Sequence, residues 1–117
     1  MERTPIANQG EIRIDQIDAL PEGMATVAVE RVAKGYIISH SESGHHHLLD
    51  GDVEVMERSN DVPAGMKMIY AIVKEPSRLH QDAATPHKPI DLDPGIYEMR
   101  IKREFDPFTE QARRVAD

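Results

Sequence analysis

A chain of 117 residues with 39% hydrophobic and 30% charged side chains has room for one hydrophobic core and not for two. It contains no cysteine, which excludes disulfide frameworks, thiolate metal sites and cysteine nucleophiles together, and only 4% of its residues are aromatic. The net charge of −7 speaks against nucleic acid and anionic membrane as partners, because both are held by clustered Lys and Arg.

In chain order, turn signals recur at short spacing: Pro21-Glu22-Gly23, Lys34-Gly35, Asp50-Gly51, Pro63-Ala64-Gly65 and Asp93-Pro94-Gly95. Between them lie short Val- and Ile-rich alternating segments, the pattern of antiparallel strands. Residues 1–10 read as a flexible N-terminal segment without the basic start and apolar stretch of a secretory signal. Strands are predicted near 11–14, 25–32, 35–40, 45–49, 52–57, 66–74, 78–81 and 95–105, which makes residues 11–105 one β domain. The expected class is all-β and mainly antiparallel, a small β-sandwich or β-barrel. Met68, Tyr70 and Ile72 alternate with Ile69, Ala71 and Val73, so this strand should be central and covered on both faces. In the last strand Tyr97, Met99 and Ile101 alternate with Glu98, Arg100 and Lys102, predicting one buried and one wet face. Residues 106–117 form a tail or a short helix capped by Thr109. No run approaches the roughly 20 apolar residues of a membrane span.

Four of the six histidines, His40, His45, His46 and His47, fall within eight residues. If Asp50-Gly51 makes a two-residue hairpin turn, His47 lies opposite Glu54 and shares a face with His45. Two imidazoles at i and i+2 with a carboxylate across from them form a candidate set for Zn²⁺, Mn²⁺ or Fe²⁺, with His80 or His87 to complete it. The competing reading is a wet polar face with no metal. A longer turn or a one-residue slip would exchange the partners.

Other catalytic arrangements are thin. Ser39, His40, Ser41 and Ser43 with nearby acids can be assembled into a Ser/His/Asp set, but nothing marks a serine as a strained nucleophile. Glu42 and Glu54 could pair, as could many of the 21 acidic residues, and there is no Gly-rich phosphate loop. The segment Arg103, Phe105, Pro107, Phe108 with Arg113 and Arg114 combines both phenylalanines of the chain with basic residues, a composition that interfaces favour and that core capping also explains. Charge is split unevenly, −6 over residues 1–58 and −1 over 59–117, which suits head-to-tail contacts between copies or two differently decorated faces.

His45-His46-His47 followed by Glu54 resembles the first motif of cupins, with a longer gap and no second motif; the resemblance implies a β-barrel metal site of His45, His47, Glu54 and His80 or His87. Ser-Glu-Ser-Gly-His-His-His at 41–47, Pro94-Gly95-Ile96-Tyr97-Glu98 and Arg103-Glu104-Phe105-Asp106-Pro107-Phe108 resemble a set of small uncharacterised proteins of bacterial, phage and prophage genomes. That resemblance implies a structural role, such as capsid decoration or another virion component. The expected function is therefore a non-enzymatic assembly or binding module, found in the cytoplasm or in a virion. Its partners would be its own copies or other structural subunits in a homo-oligomer or larger assembly, with a divalent metal as the alternative theme.

Overall fold

A computed structural model describes residues 3–40, 45–83 and 86–102, and among them there is no helix. The strands are β1 (Arg3–Gln9), β2 (Ile12–Ile17), β3 (Thr26–Ala28), β4 (Arg31–Val32), β5 (Gly35–Ser39), β6 (His47–Asp50), β7 (Val53–Arg58), β8 (Met66–Val73), β9 (Ser77–Gln81), β10 (Ile90–Leu92) and β11 (Gly95–Lys102). They form a six-stranded sheet in the order β1-β2-β11-β8-β7-β3 and a five-stranded sheet in the order β10-β9-β6-β5-β4. Neighbouring strands in both sheets run antiparallel.

The two sheets share one core. Ile12, Ile14, Ile69, Ala71, Val73, Met99 and Ile101 from the larger sheet pack in one cluster with Ile38, Leu49, Leu79 and Leu92 from the smaller. β8 lies between β7 and β11, and its two alternating faces enter different apolar clusters. Ile69, Ala71 and Val73 face the smaller sheet; Met68 and Tyr70 face the other way, among Ile17, Leu20, Met24, Met56, Val62 and Ile96. The central, doubly covered strand expected at 66–74 is thus present.

Topology explains what covers the second face. β2 and β3 are separated in the sheet by β11, β8 and β7, so the connection 18–25 must cross that face. Three intervening strands amount to roughly 19 Å, within reach of eight extended residues. Leu20 and Met24 pack into the cluster from this connection and Val62 from the β7–β8 loop. Asn60 ties the two loops together, accepting from the Ala25 amide at 2.9 Å and donating to the Gly23 carbonyl at 2.9 Å.

The same face holds two buried carboxylates directly opposite one another, Asp15 on β2 and Glu98 on β11. Like charges so placed repel, and arginines offset this. Arg100 donates to Glu98 Oε1 at 2.9 Å and to Asp15 Oδ2 at 3.0 Å, Arg13 lies 3.4 Å from Asp15, and Arg3 pairs with both acids. The Tyr70 hydroxyl donates to Glu98 Oε2 at 2.7 Å. The face of β11 expected to be wet is therefore half closed: Glu98 is 2% exposed, because β1 and its Arg3 extend the sheet beyond β2.

Two further expectations change. Residues 3–9, read as flexible, are the edge strand β1, paired along its length with β2. Asp50-Gly51 is not a hairpin turn. β6 pairs with β5 and β9, whereas β7 pairs with β8 and β3, so residues 50–52 carry the chain from one sheet to the other. A type I′ turn needs positive φ at both central residues, and of the pair only Gly51 has it, at 142°. The expected strand end at 103–105 and the tail 106–117 lie outside the described residues.

Two stability outcomes follow. Arg100→Ala should cost about 2–3 kcal/mol in chemical denaturation, and Asp15→Asn/Glu98→Gln in that background should restore part of it, since the loss comes from uncompensated buried charge. Gly51→Ala should cost more than about 2 kcal/mol, because the added methyl would overlap Ser77 at a left-handed φ.

Candidate functional site

His47 opens β6, between Ser39 of β5 and Gln81 of β9. Strand alternation places it on the side of Leu49, which packs in the core, and His47 is 3% exposed. A buried imidazole requires partners, and the larger sheet supplies them. Gln9, itself 2% exposed, reaches across from β1 and donates through Nε2 to the carbonyls of Leu79 at 3.1 Å and Lys88 at 2.9 Å. Its Oε1 is then an acceptor, 2.7 Å from His47 Nδ1. Nδ1 must therefore carry the proton, and in the neutral ring Nε2 holds the lone pair.

Glu11 faces that lone pair. Its Oε1 accepts from Ser39 Oγ at 2.5 Å and its Oε2 lies 3.7 Å from His47 Nε2. His87 stacks on His47 with ring centroids 5.8 Å apart and planes 21° apart; its backbone amide donates to Gln81 Oε1 at 2.9 Å. Gly10, at φ 58°, forms the floor: a methyl group there would stand 3.3 Å from His87 Nε2 and 3.4 Å from His47 Nε2.

Burial depresses the pKa of His47, against the pull of Glu11 and with a further push from His87. Burial works to raise that of Glu11, but the Ser39 hydroxyl, its own backbone amide and the two imidazoles outweigh it, so the net shift is downward. At neutral pH the arrangement is a neutral imidazole lone pair facing a carboxylate. Two acceptors in that relation favour a cation or a water proton between them.

The metal set expected from sequence is not brought together. Glu54 lies on β7 in the other sheet, opposite Ile72, exposed and 3.6 Å from Lys74 Nζ. The reason is the sheet change at residues 50–52, which removes the register that placed Glu54 opposite His47. His45 is exposed ahead of β6, its carbonyl 3.5 Å from Gln81 Nε2. His80 pairs with Leu48 rather than joining His47, and its Nε2 lies 3.3 Å from the Lys34 carbonyl. Of the five residues, His47 and His87 are brought into contact. His40 and His46 contact each other edge to face at 5.0 Å, with Glu30 3.7 Å from His40.

Ser39 donates to Glu11 and not to a histidine, so it is not arranged as a nucleophile. Ser41, Ser43, Glu42 and the interface candidates Arg103, Phe105, Pro107, Phe108, Arg113 and Arg114 lie outside the described residues. Among the described residues, no group of three or more His, Asp or Glu side chains is placed so that it could hold a metal ion. Gln9, Gly10 and Glu11 escaped the sequence reading; the available signal was a polar-Gly-polar turn next to an alternating strand. A cleft of about 400 Å³ along β1, lined by Pro5, Ile6, Ala7, Asn8, Arg13 and Ile14, has Arg13 as its charged group, already paired with Asp15.

Because the folded pKa of His47 lies below its unfolded value of 6.5, the unfolded chain takes up the proton first, and stability falls as pH drops below that value. Glu11, lowered from 4.5, adds to the loss as pH falls from there through its folded value. The urea midpoint should decline between about pH 7.5 and pH 5.5, and less steeply in His47→Gln; equal slopes would refute the assignment. Gln9→Leu should cost about 1–3 kcal/mol, since it leaves the His47 Nδ1–H and two carbonyls without their partner.

No curated protein and no solved structure matches the chain. A family model does, that of the Domain of unknown function (DUF8820), over residues 8–102. The match runs from within β1 to the end of β11 and takes in Gln9, Glu11, Ser39, His47 and His87. The chain belongs to the DUF8820 family.

Proposed function

We propose that this chain is a non-enzymatic assembly module that joins copies of itself through the edge formed by β3 and β4. The observation that carries this reading is the segment 25–33, Ala-Thr-Val-Ala-Val-Glu-Arg-Val-Ala, which supplies an edge strand to each sheet in succession. Val27 is 50% and Val32 39% exposed on these edges, which have no further strand beside them among the described residues. Apolar side chains beside free strand edges are what strand addition by a second chain uses. The opposite edge, β1, also exposes Ile6, but Pro5 and the register shift between Pro5 and Ala7 blunt it.

The resemblance of the histidine and C-terminal patterns to phage and prophage proteins gives the reading its most concrete form, a virion component such as a capsid decoration protein. Arg103, Phe105, Pro107, Phe108, Arg113 and Arg114 belong to the same proposal, as a second contact between neighbouring subunits.

Sedimentation velocity on the full chain tests it. The wild type should sediment as an oligomer, and Val27→Lys/Val32→Lys as a monomer that keeps the wild-type far-ultraviolet circular dichroism spectrum. Phe105→Ser/Phe108→Ser should weaken association if the tail contributes. A wild type that stays monomeric across concentration, or a double lysine variant that associates as before, would sink the reading.

A further inference from the structure

We propose that the partly exposed apolar patch formed by Met24, Val62 and Met66, on the outer face of the larger sheet, seats Phe105 and Phe108 of the chain's own C-terminal segment. The inference is independent of the β3–β4 edge. It fixes the tail on its own subunit, so that any contact the tail makes with a neighbour starts from there.

The patch arises because the cover over β8 thins at the start of the strand. Met66, Met68 and Tyr70 point to the outer face in succession, and all three belong to the second apolar cluster. Tyr70 is fully buried and Met68 is 8% exposed, whereas Met66 stays partly open, as do Met24 and Val62 from the two covering loops and Met56 from β7. The backbone beneath is fixed. Asn60 joins the loops through Gly23 and Ala25, and the Met66 amide donates to the Pro63 carbonyl at 3.1 Å. Three of these four open side chains are methionines, unbranched thioethers that reshape around an incoming group and favour an aromatic ring with the sulfur ~5 Å away.

The place where the chain leaves the sheet identifies the occupant. β11 ends at Lys102, directly opposite Met66 on β8. One strand spacing, about 5 Å, therefore separates Met66 from the start of residues 103–117, which lie outside the described residues. Phe105 follows Lys102 within about 10 Å of extended chain and Phe108 within about 20 Å. They are the only phenylalanines in a chain without tryptophan, and the other apolar side chains after Lys102 are Ala112, Val115 and Ala116. Each ring has about 150–250 Å² to bury, and Pro107 between them lowers the entropy lost on docking. Charge agrees with this seat. Residues 18–25 and 59–65 carry Asp18, Glu22 and Asp61 and no Lys or Arg, whereas the segment leaves the sheet as Lys102-Arg103.

The cleft along β1 is the rival seat. It lies two strands from β11 on the other side and is lined by Arg13, beyond Arg100, so Arg103 would approach like charge there.

The experiment is nuclear magnetic resonance on the full-length protein, labelled with ¹³C at the methionine methyls and phenylalanine rings, which gives six methyl and two ring systems to resolve. Nuclear Overhauser contacts should join at least one phenylalanine ring to the methyl of Met24 or Met66. In Phe105→Ser/Phe108→Ser those methyl resonances should shift while that of Met99, fully buried in the other cluster, stays in place. Peroxide should oxidise Met66 at least about threefold faster in that variant. The ring contacts should persist in Val27→Lys/Val32→Lys, where association through the edge is removed. Absence of the contacts in the wild type, or unchanged Met24 and Met66 resonances in the phenylalanine variant, would overturn the proposal. So would contacts in a mixture of methionine-labelled with phenylalanine-labelled chains, which would make a neighbour's tail the occupant. A wild type that stays monomeric yet shows the contacts would remove the β3–β4 reading and support this one.

Discussion

The fold depends on the two-sided burial of β8. A strand that is apolar on both faces cannot lie on a single wet-faced sheet, so Met66–Val73 must be central and must be covered twice. The smaller sheet covers one side through Leu49, Leu79 and Leu92. The chain covers the other by sending residues 18–25 from β2 across three strands to β3, so the long connection doubles as a layer of the core. That cover is apolar over Tyr70 and Met68 and ionic beside them, where Asp15 and Glu98 lie opposite each other under three arginines. Every buried side-chain polar atom among the described residues has a partner, so this network closes the face without leaving a buried charge uncompensated.

The histidine site follows from a different requirement, that the ends of the two sheets be joined by something other than hydrophobic contact. Gln9 does so with three hydrogen bonds, to Leu79, to Lys88 and to His47. Because a glutamine amide has one acceptor oxygen, committing its nitrogen to two carbonyls decides which nitrogen of His47 bears the proton. Packing at the sheet edge thereby leaves Nε2 turned toward Glu11, with His87 stacked on the ring and Gly10 beside it.

Much of the architecture was legible in the sequence because the relevant signals are local. Turn residues at short spacing and period-two alternation identified most strands of the two sheets, and the both-sides-apolar pattern of 66–73 was enough to place β8 in the interior. β1 was less visible, since Arg3–Gln9 alternates weakly and carries a proline, and it holds its place by pairing with β2. Glu98 was misjudged because a charged side chain in an alternating strand reads as solvent-facing, while its burial depends on Arg3 and Arg100 arriving from elsewhere.

By itself, the sequence determined an all-β chain without cysteine chemistry, its central strand and its histidine-rich stretch, for these depend on composition and on the side-chain period of an extended backbone. Tertiary structure alone decided which sheet each strand joins. Asp50-Gly51 looks the same locally whether it turns a hairpin or crosses between layers, and the choice was made by the partners that β6 and β7 find, β9 on one side and β8 on the other. That choice moved Glu54 away from His47 and put Gln9 beside it, 38 residues distant along the chain. Contacts of that separation leave no periodicity in the sequence, because they are fixed by the pairing of whole strands and not by the conformation of any one.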